Sequence, residues 1–151
     1  MHKTEERFQT LMQSLKRGGY RMTPQRMELV RLIGASDGHP SALQLHALIQ
    51  QRFPTMSQAT VYKTLALLRD MGQVQEIGLR DESRYDGSRP GPHPHLICTR
   101  CGSIADGDLE LEPATIRKLE RRSGFRELRP QIVFHGLCPT CTQSGDGNRL
   151  A

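Results

Sequence analysis

Cys98-Thr99-Arg100-Cys101 and Cys138-Pro139-Thr140-Cys141 hold all four cysteines of this 151-residue chain. A C-x-x-C turn points two sulfurs at one position. Two such turns complete the tetrahedral all-sulfur shell that zinc prefers, with Zn–S bonds of ~2.3 Å. Protein then fills every position of the shell, which is the arrangement of a structural zinc site rather than a catalytic one. Two disulfides in a secreted chain are a second use of such spacing. They require an export signal, and the polar opening Met1-His2-Lys3-Thr4-Glu5-Glu6 has no apolar core of that kind. A redox dithiol is a third use, but it needs one C-x-x-C, and two together read better as a metal site. No stretch approaches the roughly 18 apolar residues of a membrane span, so a cytoplasmic location is expected.

The second set of donors carries nitrogen and oxygen. In His93-Pro94-His95 an extended backbone puts alternate side chains on one face, so both imidazoles can converge on one ion. Pro94 favours that extension and removes one N–H, which suits an edge or linker. Asp86, Asp106 and His39 are further candidate ligands. Mixed donors of this kind suit Fe(II), Mn(II) or Zn(II), and five of them exceed zinc's usual tetrahedron. Each has a plainer use: His39 as a turn residue before a helix, Asp106 as a solvated charge at a strand end. An H-x-H pair with carboxylates also fits a hydrolytic metal in a zinc-ribbon metallohydrolase. No separate general base or nucleophile motif accompanies it, so a non-enzymatic role is expected.

These donors need a scaffold. A hydrophobic fraction of 36% without tryptophan is thin for one large core. Two small modules, one stapled by metal, resolve that shortage. Net charge is +5: residues 1–86 carry 12 Lys/Arg against 9 Asp/Glu, and residues 87–151 carry 9 against 7. Charge alone therefore does not identify a nucleic-acid binder. The run Arg7, Lys16, Arg17, Arg21, Arg26 and Arg31 meets one acid, Glu28. It is compatible with a solvated face, and it permits phosphate contact, with Arg21 a candidate.

Helical spacing of Phe8, Leu11, Met12 and Leu15 predicts a helix over about 4–17, ended by Gly18-Gly19. Thr23-Pro24 caps a second, with Met27, Val30, Leu32 and Ile33 as its stripe and Gly34 closing it. Ser41 caps a third, carrying Leu45, Leu48 and Ile49. Ser57 caps a fourth, from Gln58 to Met71, with Val61, Leu65 and Leu68 on one face and Gly72 as its stop. Val74–Ile77 and Arg84–Asp86 read as a strand pair around a charged turn. Helices in this order followed by a hairpin predict a winged helix-turn-helix, whose helix after the turn enters the major groove. Gln58, Thr60, Tyr62, Lys63 and Arg69 would face outward there, able to meet phosphates and base edges. The same pattern also fits an ordinary helical bundle.

Beyond a Gly/Pro linker at 87–92, strands are expected over 95–99, 103–106 and 131–135, with a helix over 113–123 that turns Ile116 and Leu119 inward. His135 is expected to pack across strands. The fold class is then α+β: an N-terminal winged helix-turn-helix (1–86), a linker, a small α/β dimerisation domain with the four-cysteine zinc site (93–142), and a polar, flexible tail (143–151).

Tyr20-Arg21-Met22-Thr23-Pro24-Gln25-Arg26, His39-Pro40, Ala59-Thr60-Val61-Tyr62-Lys63-Thr64-Leu65 and His93-Pro94-His95-Leu96-Ile97-Cys98-Thr99-Arg100-Cys101-Gly102 follow one another in the chain. In that order they resemble the ferric uptake regulator (Fur) family, over about residue 7 to Cys141. The resemblance implies a homodimer that binds double-stranded operator DNA. It implies structural Zn2+ on Cys98, Cys101, Cys138 and Cys141, and a regulatory Fe2+ or Mn2+ on His39, Asp86, His93, His95 and Asp106. Aspartate at both Asp86 and Asp106, where iron-sensing members usually carry glutamate, is similar to the peroxide-sensing PerR-type repressors. In those the positions matching His39 and His93 are the ones oxidised. The neighbours of the two histidines are Pro92, before the H-x-H, and Pro94, within it, so a further site seen in iron-sensing members looks absent.

Overall fold

The computed structural model describes residues 2–79, 81–89 and 91–144. The tail from residue 145, Arg80 of the charged turn and Pro90 of the linker lie outside the described residues. The chain divides into two compact units, Met1–Gly91 and Pro92–Ala151.

The first unit holds α1 (His2–Arg17), α2 (Pro24–Ala35), α3 (Ala42–Gln50), α4 (Gln58–Asp70), β1 (Gln75–Gly78) and β2 (Ser83–Asp86). Three of the helices start on side-chain caps. Thr23 accepts from Arg26 N–H, Ser57 from Thr60 N–H, and Ser41 from Gln44 N–H. Gln44 returns the bond to the Ser41 backbone, closing a capping box. Each such cap contributes about 1 kcal/mol. Gly72 (φ 69°) stops α4 in a left-handed conformation that side chains resist.

The core of this unit joins Phe8, Leu11, Met12 and Leu15 of α1 to Leu29, Val30 and Ile33 of α2. Leu45 and Ile49 of α3 and Val61, Leu65 and Leu68 of α4 complete it. Two residues expected on the inner faces are exposed, Met27 of α2 (36%), where Leu29 is buried instead, and Leu48 of α3. Leu48 is 47% exposed, and buried His46 takes its place on the inner face, its Nε2 2.8 Å from the Met56 carbonyl. Gly34 does not end α2, which runs on to Ala35. It lies against α1: a Cβ there would be 3.2 Å from Leu11 Cδ1.

β1 and β2 pair antiparallel, with Gln75 opposite Asp86 and Gly78 opposite Ser83. The segment before α3 joins them, since Tyr85 N–H donates to Pro40 O (2.9 Å) and Ser41 bridges Arg84. The helices and this hairpin form the winged helix-turn-helix.

The second unit holds β3 (His95–Cys98), β4 (Ile104–Asp106), α5 (Pro113–Ser123), β5 (Val133–Gly136) and the short α6 (Pro139–Gln143). The sheet order is β4-β3-β5, antiparallel on one side of β3 and parallel on the other. Parallel pairing requires a crossover, and α5 lies within it. The expected inward face of α5 is not covered: no residue of the helix is buried, and Leu119 is 56% exposed. His135 sits opposite Ile97 on β5 and is exposed. Among the described residues this unit buries few apolar side chains: Pro94, Ile97, Cys98 and Cys141. A unit this poor in core needs another source of stability.

Candidate metal centres

Cys98 ends β3 and Cys138 follows β5. Because those strands run parallel, with Cys98 opposite Gly136, both C-x-x-C turns emerge from the same end of the sheet. Gly102 (φ 72°) closes the first turn, its N–H donating to Cys98 O at 2.9 Å. Cys138 caps α6, its sulfur accepting from Cys141 N–H. Arg100 ties the turns together by donating to Cys141 O at 2.9 Å. Local spacing does not mark Arg100 for this role, because its partner belongs to the other turn.

The four sulfurs lie within 4.8 Å of one another and none is in a disulfide. Cys101 Sγ and Cys138 Sγ are 3.7 Å apart, close to the ~3.8 Å edge of a tetrahedron with ~2.3 Å bonds. Backbone N–H groups of Cys101 and Cys138 point at Cys98 Sγ (3.5 and 3.4 Å) and lower that thiol to about 5. The Cys141 N–H likewise lowers Cys138. Cys141 is pushed up to about 12, chiefly by its hydrogen bond to Cys138. A set that stabilises some thiolates while keeping another protonated fits a divalent cation, which would take the place of the shared protons.

The nitrogen and oxygen donors form one group in each unit. In the second unit His95 on β3 is in register with Asp106 on β4. His93 Nε2 and His95 Nε2 lie 3.5 and 3.8 Å from Asp106 Oδ1, and the two rings are 4.7 Å apart. Pro94 between them accepts from Gly107 N–H at 2.8 Å and packs on that glycine, which keeps the turn-free extension that H-x-H requires. In the first unit the Pro40–Tyr85 bond and the Ser41–Arg84 bridge bring the segment before α3 against β2. His39 Nε2 thereby lies 3.8 Å from Asp86 Oδ2.

Two neighbours of Asp86 are absent from the sequence expectation. Ser88 donates from both its N–H and its hydroxyl to Asp86 Oδ1, each at 3.0 Å. Arg7, buried in α1, donates to Gly87 O at 2.6 Å. Burial lowers the pKa of that guanidinium and the charge of Asp86 opposes the shift. The D-x-S spacing is a readable turn signal. Arg7 shares the helical face of Leu11, which marks it as inward.

Of the residues expected to meet DNA, Gln58, Tyr62 and Lys63 are exposed on α4, and Arg21 is exposed before α2. Thr60 is half-buried, and its hydroxyl lies 2.8 Å from that of Ser57 in the helix cap. Arg69 binds Asp70 (3.0 Å) and Glu76 on β1 (2.5 Å), so it joins helix to wing rather than facing outward alone. Its pKa is raised, first by the Glu76 hydrogen bond.

Residues 17–135 match the ferric uptake regulator family. The ferric uptake regulation protein of Bacillus subtilis is 33% identical over 142 residues, covering 91% of this chain and 95% of that protein. The peroxide-responsive repressor PerR of Staphylococcus epidermidis is 29% identical over 133 residues, covering 88% and 89%. A solved zinc uptake regulator complexed with zinc and DNA has a TM-score of 0.67 at 29% identity, over 93% of this chain and 96% of that one. The chain belongs to the ferric uptake regulator family, whose members are metal-binding, DNA-binding transcription regulators.

Proposed function

We propose that the protein is a dimeric, metal-dependent repressor of palindromic operator DNA that is released when peroxide oxidises a metal-ligating histidine. The observation that carries this reading is the pairing of imidazole with carboxylate inside each unit: His39 with Asp86, and His93 and His95 with Asp106. Cys98, Cys101, Cys138 and Cys141 would hold structural zinc. His39 and Asp86 from one unit, with His93, His95 and Asp106 from the other, would share a single regulatory Fe(II) or Mn(II). Ligands drawn from both units favour whichever arrangement lets all of them reach, by their differential affinity for it. In a two-fold dimer that arrangement sets the separation of the two α4 helices, and so the spacing of the operator half-sites.

Bound Fe(II) supplies the reducing electron that peroxide needs, which zinc cannot. The chain's part would be to hold the His39 and His93 imidazoles among the ligands of that ion, within reach of oxidation. Peroxide treatment of the Fe(II) protein is expected to add oxygen mass to the peptide holding His39 or His93 and to weaken operator binding. Tandem mass spectrometry and a gel shift on the same sample check both. An unchanged mass with Fe(II) confirmed bound would remove the peroxide reading.

Dimerisation is supported by the outer face of the second sheet. Leu96 on β3 stands beside Phe134 on β5, with Leu137 beyond, and these are 44%, 49% and 52% exposed. Such an apolar row is what a second copy would bury. The double substitution Leu96→Asp, Phe134→Asp is expected to give a monomer by sedimentation and to weaken operator binding. A variant that still sediments as a dimer would place the interface elsewhere.

The Bacillus ferric uptake regulation protein, at 33% identity, favours a second reading equally: a sensor of iron, manganese or zinc level that represses uptake genes. Operator binding that needs metal but ignores peroxide separates it from the first. The relatives are regulators rather than enzymes, which leaves the metallohydrolase reading without support. Among the described residues no helix is long and apolar enough to cross a membrane, and we place the repressor with the DNA in the cytoplasm.

A further inference from the structure

A carboxylate can ligate a metal through one oxygen or both, and the choice changes coordination number and the room left for other ligands. In this chain the two oxygens of Asp86 are not equivalent. Oδ1 accepts two hydrogen bonds from one residue, Ser88, from the backbone N–H and from Oγ, both at 3.0 Å. Oδ2 is the oxygen on the His39 side, 3.8 Å from Nε2.

The backbone that makes this possible is held from three directions. Arg7 Nε donates to the carbonyl of Gly87, the residue between Asp86 and Ser88. The same guanidinium donates to Gln73 Oε1 (3.2 Å) and to the Gln73 carbonyl, anchoring it at the foot of the hairpin. Gly87 itself has no room for a side chain: a Cβ would lie 2.7 Å from Ile33 Cγ1 and 3.1 Å from Ile33 O. The turn is therefore tied to α1 and packed on α2 at Gly87, the residue that joins Asp86 to Ser88.

We propose that Ser88 is a positioning residue that makes Asp86 a one-oxygen ligand, presenting Oδ2 to the regulatory metal while holding Oδ1 away from it. This rests on the reading of Asp86 as a metal ligand. Two-oxygen ligation would require Oδ1, with both lone pairs already accepting, to give up at least one of these hydrogen bonds. Without the hydroxyl one of the two Ser88 bonds is lost, and the carboxylate gains freedom to rotate or to chelate. Partners that orient a metal ligand in this way typically change affinity by about 10–100-fold when removed.

The test uses zinc-replete full-length protein titrated with Co(II), whose visible d–d absorption reports coordination number and whose affinity is read by chelator competition. Ser88→Ala is expected to shift the d–d bands toward the weaker absorption of a higher coordination number and to change Co(II) affinity by about tenfold. Ser88→Thr keeps a hydroxyl and is expected to restore both. Ser88 is half-exposed, so the thermal midpoint of the Co(II)-free protein should move little in either variant. A Ser88→Ala spectrum and affinity equal to wild type, with Asp86→Ala impaired, overturns the role of Ser88 and leaves Asp86 a ligand. So does a Ser88→Thr variant as altered as Ser88→Ala. Asp86→Ala that binds Co(II) as wild type does removes the ligand reading, and this inference with it.

Discussion

Cys98→Ser is expected to abolish zinc binding and unfold the second unit while the first keeps its structure. Structural zinc in small domains carries about 10–16 kcal/mol of apparent binding free energy at neutral pH, and in such domains that is folding free energy. The second unit has little else to draw on. Its buried apolar side chains among the described residues are Pro94, Ile97, Cys98 and Cys141. Full burial of one large apolar side chain contributes roughly 1.5–3 kcal/mol. Ordering each residue costs about 1–2 kcal/mol in backbone entropy alone. The first unit differs, since its four helices share one core that contains no cysteine. Hydrogen exchange read by mass spectrometry is the measurement. Amides of β3, β4 and β5 should lose at least about a hundredfold in protection, and those of α2, α3 and α4 should keep theirs. Retention of one zinc per chain with unchanged protection of β3 would refute the structural role.

The second large effect is expected at the regulatory site. Asp86→Ala and His93→Ala, which belong to different units, should each remove the metal-dependent gain in operator affinity. Coupling between sites is typically about 1–3 kcal/mol, or roughly 5–150-fold, and the loss should fall in that range. The double variant should be no worse than either single one. Ligands of one ion act together, so losing either forfeits the same bridging, and the two effects do not add. Binding of an operator selected from random DNA by the Mn(II)-loaded protein, measured with and without Mn(II), gives all four corners of the cycle. Additive losses would mean two separate ions, and metal sensitivity surviving in the double variant would end the reading of one ion shared by these ligands.

Helix starts and stops were legible because they are local. Thr23, Ser41 and Ser57 cap α2, α3 and α4 as their chemistry requires, and Gly72 stops α4. The apolar stripes were legible where a helix packs on one neighbour, as with Val61, Leu65 and Leu68. They misled where the surroundings decide. Leu48 and His46 sit two residues apart on α3, and burial of the histidine follows from a carbonyl at Met56 that only the folded chain supplies. Gly34 reads as a helix stop, yet it serves the approach of α1. Leu119 follows an inward-looking period on α5, but the second unit offers nothing to cover it.

Residue type and short spacing alone determined the donors available to this protein: two C-x-x-C turns, an H-x-H pair, and separate histidine and aspartate candidates. They also determined the elements that carry those donors, because capping, turn formation and alternation act over a few residues. Tertiary structure decided which donors meet. Parallel pairing of β3 with β5 brings the two cysteine turns to one end of a sheet. The Pro40–Tyr85 bond brings His39 to Asp86. The bond from Arg7 to Gly87 O ties the turn after Asp86 to α1, 80 residues away in the chain. Such choices lie beyond local pattern, because contacts between residues distant along the chain depend on register and packing, and no residue carries that information by itself.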